Sequence, residues 1–151
     1  MNGYLLDTNV ISMLSPARAD APAAFLAWLE RMDEEGRVFL SVVTIHEIEK
    51  GIALLEHKGA TAKATGLKVW LAGLVSTYGD KLIGLDVTAA SLGGQLEANA
   101  ILAGYDPGMA DAIIAGIAKS QNLHVVTQNT KHFLSLGVPV SSPEDAASLQ
   151  R

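Results

Sequence analysis

The sequence contains no cysteine. That excludes disulfide staples, thiolate zinc sites and a cysteine nucleophile, and it fits a reducing compartment. Long hydrophobic runs are also missing. No window approaches the roughly 18 uncharged apolar residues that a membrane span needs. The stretch 96–109 is apolar in places, but Glu97, Asn99 and Asp106 interrupt it. The opening MNGYLLDTNVISML has no basic leader segment, and Asp7 breaks its short apolar run, so a signal peptide is not expected. A cytoplasmic location is the expectation. Positive charge is scarce too: 11 Lys and Arg stand against 16 Asp and Glu, a net charge of −5. This argues against a protein that holds nucleic acid on a broad basic surface. It leaves open an enzyme that grips one phosphate through a metal ion, and it suits a basic protein partner. No glycine-rich loop follows a strand candidate, so P-loop and dinucleotide-binding readings fail. Repeats, low-complexity segments and linkers are absent.

What is present is a globular composition, with 49% apolar and 18% charged residues in 151. That length suits one domain over residues 1–151. Short runs of strand composition alternate with longer helical patterns. Strands are expected at 4–6, 38–43, 82–85, 123–127 and 138–140. Helices are expected at 9–13, 22–35, 44–58, 60–78, 88–102 and 107–120, with a last one from Ser142-Pro143. Pro22 and Pro107 suit first helical positions, and Asp106 suits an N-cap. This alternation predicts an α/β fold with a mainly parallel sheet covered on both faces. Such sheets bind ligands at the carboxyl ends of their strands. The residues there are Asp7-Thr8-Asn9, Thr44 to Glu47, and Thr127-Gln128-Asn129.

Three carboxylates stand out, each with a plain structural alternative. Asp7 suits a helix N-cap as well as a ligand. Glu47 with Thr44 matches the capping box, in which Glu at the third helical position bonds back to the cap. Asp111 lies in the first turns of a helix, where the dipole favours an acid. It also borders the apolar run Ala112–Ala115, and carboxylates in such places are rarely buried without a partner or a metal. Three acids converging at one sheet edge would repel one another. A hard divalent cation relieves that repulsion through oxygen ligands, as Mg²⁺ does. Thr127 and Asn129 can hydrogen-bond such a site, although a strand end and a turn explain them equally well.

At this point the chain resembles a known family. LLDTNVIS at 5–12, SVVTIHEIEKGI at 41–52, ADAIIAGIA at 110–118 and HVVTQNTKHF at 124–133 look like the motifs of PIN-domain proteins of the VapC type, the toxins of bacterial toxin–antitoxin pairs. The resemblance implies a PIN-like fold and Mg²⁺- or Mn²⁺-dependent endoribonuclease activity. Asp7, Glu47 and Asp111 match the family's three acids, and Thr8, Asn9 and Thr127 match polar positions beside them. The resemblance also implies a VapB-like antitoxin whose tail covers the active site, and a homodimer. Many members carry a further acid at the place of Asn129 or just before the Phe. Here those places hold Asn129 and His132, so weaker metal binding, or one ion in place of two, is expected.

The expected chemistry is in-line hydrolysis of an RNA phosphodiester, with Asp7 and Asp111 as direct ligands and Glu47 as a ligand or water-orienting group. Lys50, Lys119 and Lys131 are candidates for phosphate contacts, with ordinary solvated lysines as the alternative. His132 reads as a surface or phosphate-contacting residue rather than a ligand. The helices at 22–35 and 60–78, with Trp28 and Trp70, are core stripes or a groove for a partner helix. Two other classes stay in view. One is a non-catalytic binding module on the same fold. The other is a haloacid-dehalogenase-type phosphatase, which wants Asp-x-Asp where this chain has Asp7-Thr8-Asn9.

Overall fold

The computed structural model describes residues 1–149. Five strands form one sheet in the order β3-β2-β1-β4-β5, with every pairing parallel. They are β1 (Gly3–Leu6), β2 (Val38–Ser41), β3 (Leu82–Ile83), β4 (Leu123–Val126) and β5 (Val140–Ser141). All five lie within or beside the expected segments. Parallel strands need crossovers, and helices supply them. These are α1 (Thr8–Ser12) and α2 (Ala23–Glu34) before β2, then α3 (Val42–His57) and α4 (Thr61–Tyr78) before β3. Helices α5 (Val87–Leu102) and α6 (Met109–Gln121) precede β4, α7 (Thr130–Ser135) precedes β5, and α8 (Pro143–Leu149) follows it.

Strand side chains alternate between faces, and both faces are buried. Tyr4 and Leu6 of β1 face a core built with Phe25, Trp28, Ile48, Ile52 and Leu71. Leu5 faces the opposite core, with Ala115, Ile117, Val125 and Phe133. Trp28 is fully enclosed and packs edge-on against Tyr4 and parallel to Phe25. The α2 stripe of Phe25, Trp28, Leu29 and Met32 is therefore core. On α4 the apolar surplus is real: Val69 is 70% exposed. No helix among the described residues is long and apolar enough to cross a membrane.

Several boundaries differ from the sequence expectations, and two of the differences shape the site. Helix α3 starts at Val42, with Ser41 as the cap whose Oγ accepts the Thr44 N–H. The capping box expected of Thr44 and Glu47 does not form, because both residues are already inside the helix. The pair Val42-Val43 has strand composition but belongs to the helix, because Ser41 ends β2 and caps α3. At α6, Asp106 is not the cap and Pro107 is not helical. Gly108, at φ 88°, lies outside helical space, and the helix begins at Met109. Pro22 likewise caps α2 from outside the helix. Helix α7 was not anticipated; it is six residues long and is anchored by the fully buried Phe133.

Helices α5 and α6 lie unusually close. A Cβ on Gly116 would sit 2.3 Å from the Ala89 carbonyl oxygen and 2.9 Å from Gly93 Cα. This contact fixes α6 against the sheet and so fixes the position of its first turn, which carries Asp111.

Candidate metal centre

The chain leaves β1 for β2 on one side and later returns to place β4 on the other. The crevice at this reversal, past the carboxyl ends of β1 and β4, is where open parallel sheets hold ligands. Asp7 follows β1 and Thr127 follows β4, and the two meet there. The Thr127 hydroxyl donates to Asp7 Oδ2 at 2.7 Å, and the Thr8 N–H donates to Oδ1 at 2.8 Å. Asp7 thus caps α1, as the plain structural reading of this residue expected. It is only 4% exposed. Burial pushes its pKa up to about 6, with smaller upward contributions from Asp111 and Glu47 and opposing ones from Thr127 and Thr8.

Glu47 reaches the crevice because of where α3 begins. Its Oε1 accepts the Thr8 hydroxyl at 2.7 Å, and Thr8 Oγ lies 3.0 Å from Thr44 Oγ. With no cap to bond, the Glu47 carboxylate turns toward β1. Asp111 enters from the first turn of α6. Burial raises its pKa, as does Glu47, while His132 lowers it. His132 Nδ1 is 2.7 Å from Asp111 Oδ2. His132 was expected at the surface or against a phosphate rather than as a ligand; its side chain is 50% exposed, and it lies against Asp111.

The remaining polar residues divide. Asn9 binds both sides of the crevice: its Nδ2 donates to Thr127 Oγ at 3.3 Å and its Oδ1 accepts the Gln128 N–H at 3.1 Å. Asn129 contributes its backbone N–H to Thr127 Oγ at 3.0 Å, but its side chain caps nothing. Lys131 is exposed on α7 beside His132, and Lys50 is exposed one turn beyond Glu47. Lys119 does not belong here. It sits in the last turn of α6, eight residues and roughly 12 Å along the axis from Asp111. Sequence reasoning missed Arg18 and Lys63, which line a cavity of about 270 Å³ together with Thr8 and Glu47. Nothing in their local patterns set them apart from other surface bases.

The three acids are therefore brought to one end of the sheet and act on one another electrostatically. They do not close into a finished ligand set: among the described residues, no three His, Asp or Glu side chains are close enough to hold an ion together as they stand. Each has turned to a separate donor: Asp7 to Thr127, Glu47 to Thr8, Asp111 to His132. Among the described residues, no lysine or arginine pairs with any of the three.

A family model described as the PIN domain matches residues 4–137. The chain belongs to the PIN domain family. Toxin FitB of Neisseria gonorrhoeae is 32% identical over 140 residues, covering 92% of this chain and 96% of FitB. VapC ribonuclease Y4jK of Sinorhizobium fredii is 31% identical over 144 residues, covering 95% and 99%. The crystal structure of FitAcB from Neisseria gonorrhoeae superimposes with a TM-score of 0.80 at 32% identity, covering 93% of this chain and 98% of that one. The PIN-like fold expected from the motifs is thus the fold observed, with a sheet that is wholly parallel among the described residues.

Proposed function

We propose that this PIN-domain chain is a divalent-metal-dependent endoribonuclease and the toxin of a toxin–antitoxin pair. The observation that carries the reading is Asp7, a carboxylate buried at the sheet's reversal point, with Asp111 and Glu47 nearby and, among the described residues, no lysine or arginine ion-paired with it. Burying a carboxylate without a counter-charge is costly, and natural proteins keep such costs mainly at functional sites. The donor set fits Mg²⁺ or Mn²⁺: hard oxygen ligands, few in number, leaving room for water. Asp7 and Asp111 would hold the ion, and Glu47 would hold it or orient a water beside it. When bound, such an ion supplies an activated water and offsets charge on the phosphoryl oxygen.

The chain's own residues set up that chemistry. Thr127 and Thr8 fix the Asp7 carboxylate from two sides, leaving its remaining lone pairs directed into the crevice. Asn9 ties the ends of β1 and β4 together, so the spacing across the crevice is rigid. Lys63 and Lys131 would supply positive charge for a polyanion that the overall net charge of −5 lacks, joined by Arg18 if it parts from Asp20. Similarity to a protein named a VapC ribonuclease and to one named a toxin supports the substrate and the biological role. On the same ground we propose a VapB-like antitoxin as partner, a homodimer as the resting assembly, and a cytoplasmic location.

One observation favours a second reading, a non-catalytic PIN module: the ligand set is open, and the family's further acid is replaced by Asn129 and His132. The test is purified protein incubated with total RNA in Mg²⁺, Mn²⁺ or EDTA, with cleavage sites mapped. Cleavage in metal but not in EDTA is expected. Glu47→Gln should lower the rate about 10- to 100-fold, the scale for groups that orient a metal site. Metal-independent cleavage, or full activity in Glu47→Gln, would sink the mechanism.

A further inference from the structure

A cavity of about 690 Å³ opens beside the carboxylates, between the α5–α6 loop and α7. This volume falls in the range of sites that take a small molecule or one residue of a polymer, about 300–1,000 Å³. His132 lines it and also touches Asp111 at 2.7 Å. One side chain therefore links the cavity to the carboxylates. Lys131 and Ser135 line the α7 wall, and Tyr105 and Asp106 the loop wall.

Tyr105 is 57% exposed, and its ring belongs to neither of the two core clusters. Its position is nevertheless fixed. Its N–H donates to the Ala100 carbonyl at 2.9 Å, and the adjacent Gly104 N–H donates to Ile101 at 3.0 Å. Gly104 and Gly108, at φ 94° and 88°, bracket the loop in conformations that L side chains rarely adopt. The fold thus places Tyr105, on a fixed backbone, across a cavity from a lysine and a histidine. Aromatic faces with adjacent cations are how proteins hold unpaired bases and their phosphates. Asp106 would repel a phosphate, which leaves the phosphate to the α7 wall and the base to the loop wall. A carboxylate there can accept N–H donors of a base edge.

We propose that this cavity is a subsite for one unpaired nucleotide of the RNA, flanking the scissile phosphate, with its base stacked on Tyr105 and its phosphate held by Lys131 and His132. The proposal rests on the ribonuclease reading above and adds one base-stacking position beside the scissile phosphate. A protein segment seated in the same cavity is the competing occupant. RNA is favoured because His132 joins the cavity to Asp111 and the lining combines base-stacking and phosphate-binding side chains.

The test uses the full chain and an RNA oligonucleotide cut by the wild type in Mn²⁺. Tyr105→Ala should raise KM about ten-fold, the scale of one base–aromatic stack, and leave kcat within about two-fold. Tyr105→Phe should restore KM. Oligonucleotides with one base at a time replaced by an abasic ribose should identify a position whose loss costs the wild type the same ten-fold and costs Tyr105→Ala nothing further. Lys131→Ala should flatten the salt dependence of binding by about 0.7 in log–log slope, one phosphate on single-stranded nucleic acid. If the wild type cleaves RNA and Tyr105→Ala matches it on every oligonucleotide, the subsite is wrong while the ribonuclease reading stands. Loss of affinity for an antitoxin alone, with cleavage kinetics intact, also overturns it. If the wild type cleaves no RNA in either metal, the ribonuclease reading fails, and the subsite with it.

Discussion

Asp7→Asn is expected to abolish metal-dependent RNA cleavage and, in EDTA, to make the protein more stable at neutral pH. The two effects have one cause. The folded chain lifts the Asp7 pKa to about 6, whereas an unfolded aspartate titrates near 3.9. Between those values the folded protein keeps a proton that the unfolded chain has released. Stability therefore falls as pH rises from about 4 to about 6, and the loss is complete above that window. Two pH units correspond to a loss of roughly 3 kcal/mol at pH 7. Asparagine removes the buried charge. It also sets an N–H₂ against Thr127 Oγ, which already accepts from Asn9 and Asn129, so only part of the loss is recovered. A gain of about 1–2 kcal/mol at pH 7, shrinking to nothing near pH 4, is the expected result of denaturant melts across that range. Cleavage should fall by more than about 100-fold, since even groups that merely orient a metal site cost 10- to 100-fold. A variant that is less stable at pH 7 and still active would show that Asp7 is only a helix cap.

Gly116→Ala is expected to cost about 3 kcal/mol, the upper end for overpacking. The added methyl would meet the Ala89 carbonyl oxygen and the Gly93 backbone, at 2.3 and 2.7 Å. No rotamer change relieves a clash between backbones, so α6 must move away from α5. That shift drags Asp111 from the crevice and should weaken metal binding as well. At this size, 3 kcal/mol lowers Tm by roughly 6–12 °C. Gly94→Ala is the matched control: it lies on α5, and nothing is within 4 Å of its added Cβ. It should gain about 0.5–1 kcal/mol from helix propensity alone. Equal behaviour of the two variants in thermal melts would mean that α5 and α6 are not packed as closely as described.

Much of this was legible in the sequence. The β-branched runs gave the strands, and their alternation with helical patterns gave a parallel sheet. Asp7 was readable because a lone carboxylate directly follows an apolar strand. Asp111 was readable because the run after it is apolar. Glu47 was not, from its own surroundings. Thr44 and Glu47 have capping-box spacing, and only the earlier start of α3 at Val42, capped by Ser41, frees the carboxylate for Thr8. The ordered motifs pointed to Glu47 where local pattern misled. The contact of His132 with Asp111 was out of reach for another reason. The two are 21 residues apart, and α7 is too short to show a helical period. Arg18, Lys63 and the Tyr105 loop depend wholly on tertiary placement, so no local signal could have found them.

The central claim is that these carboxylates hold a divalent ion. It is tested most directly by calorimetric titration of Mn²⁺ into metal-free protein at pH 7, wild type beside Asp7→Asn. The account predicts that the wild type binds, with one ion per chain because the family's further acid is absent, and that the variant binds none. Negligible heat from both, or equal binding by both, would contradict it.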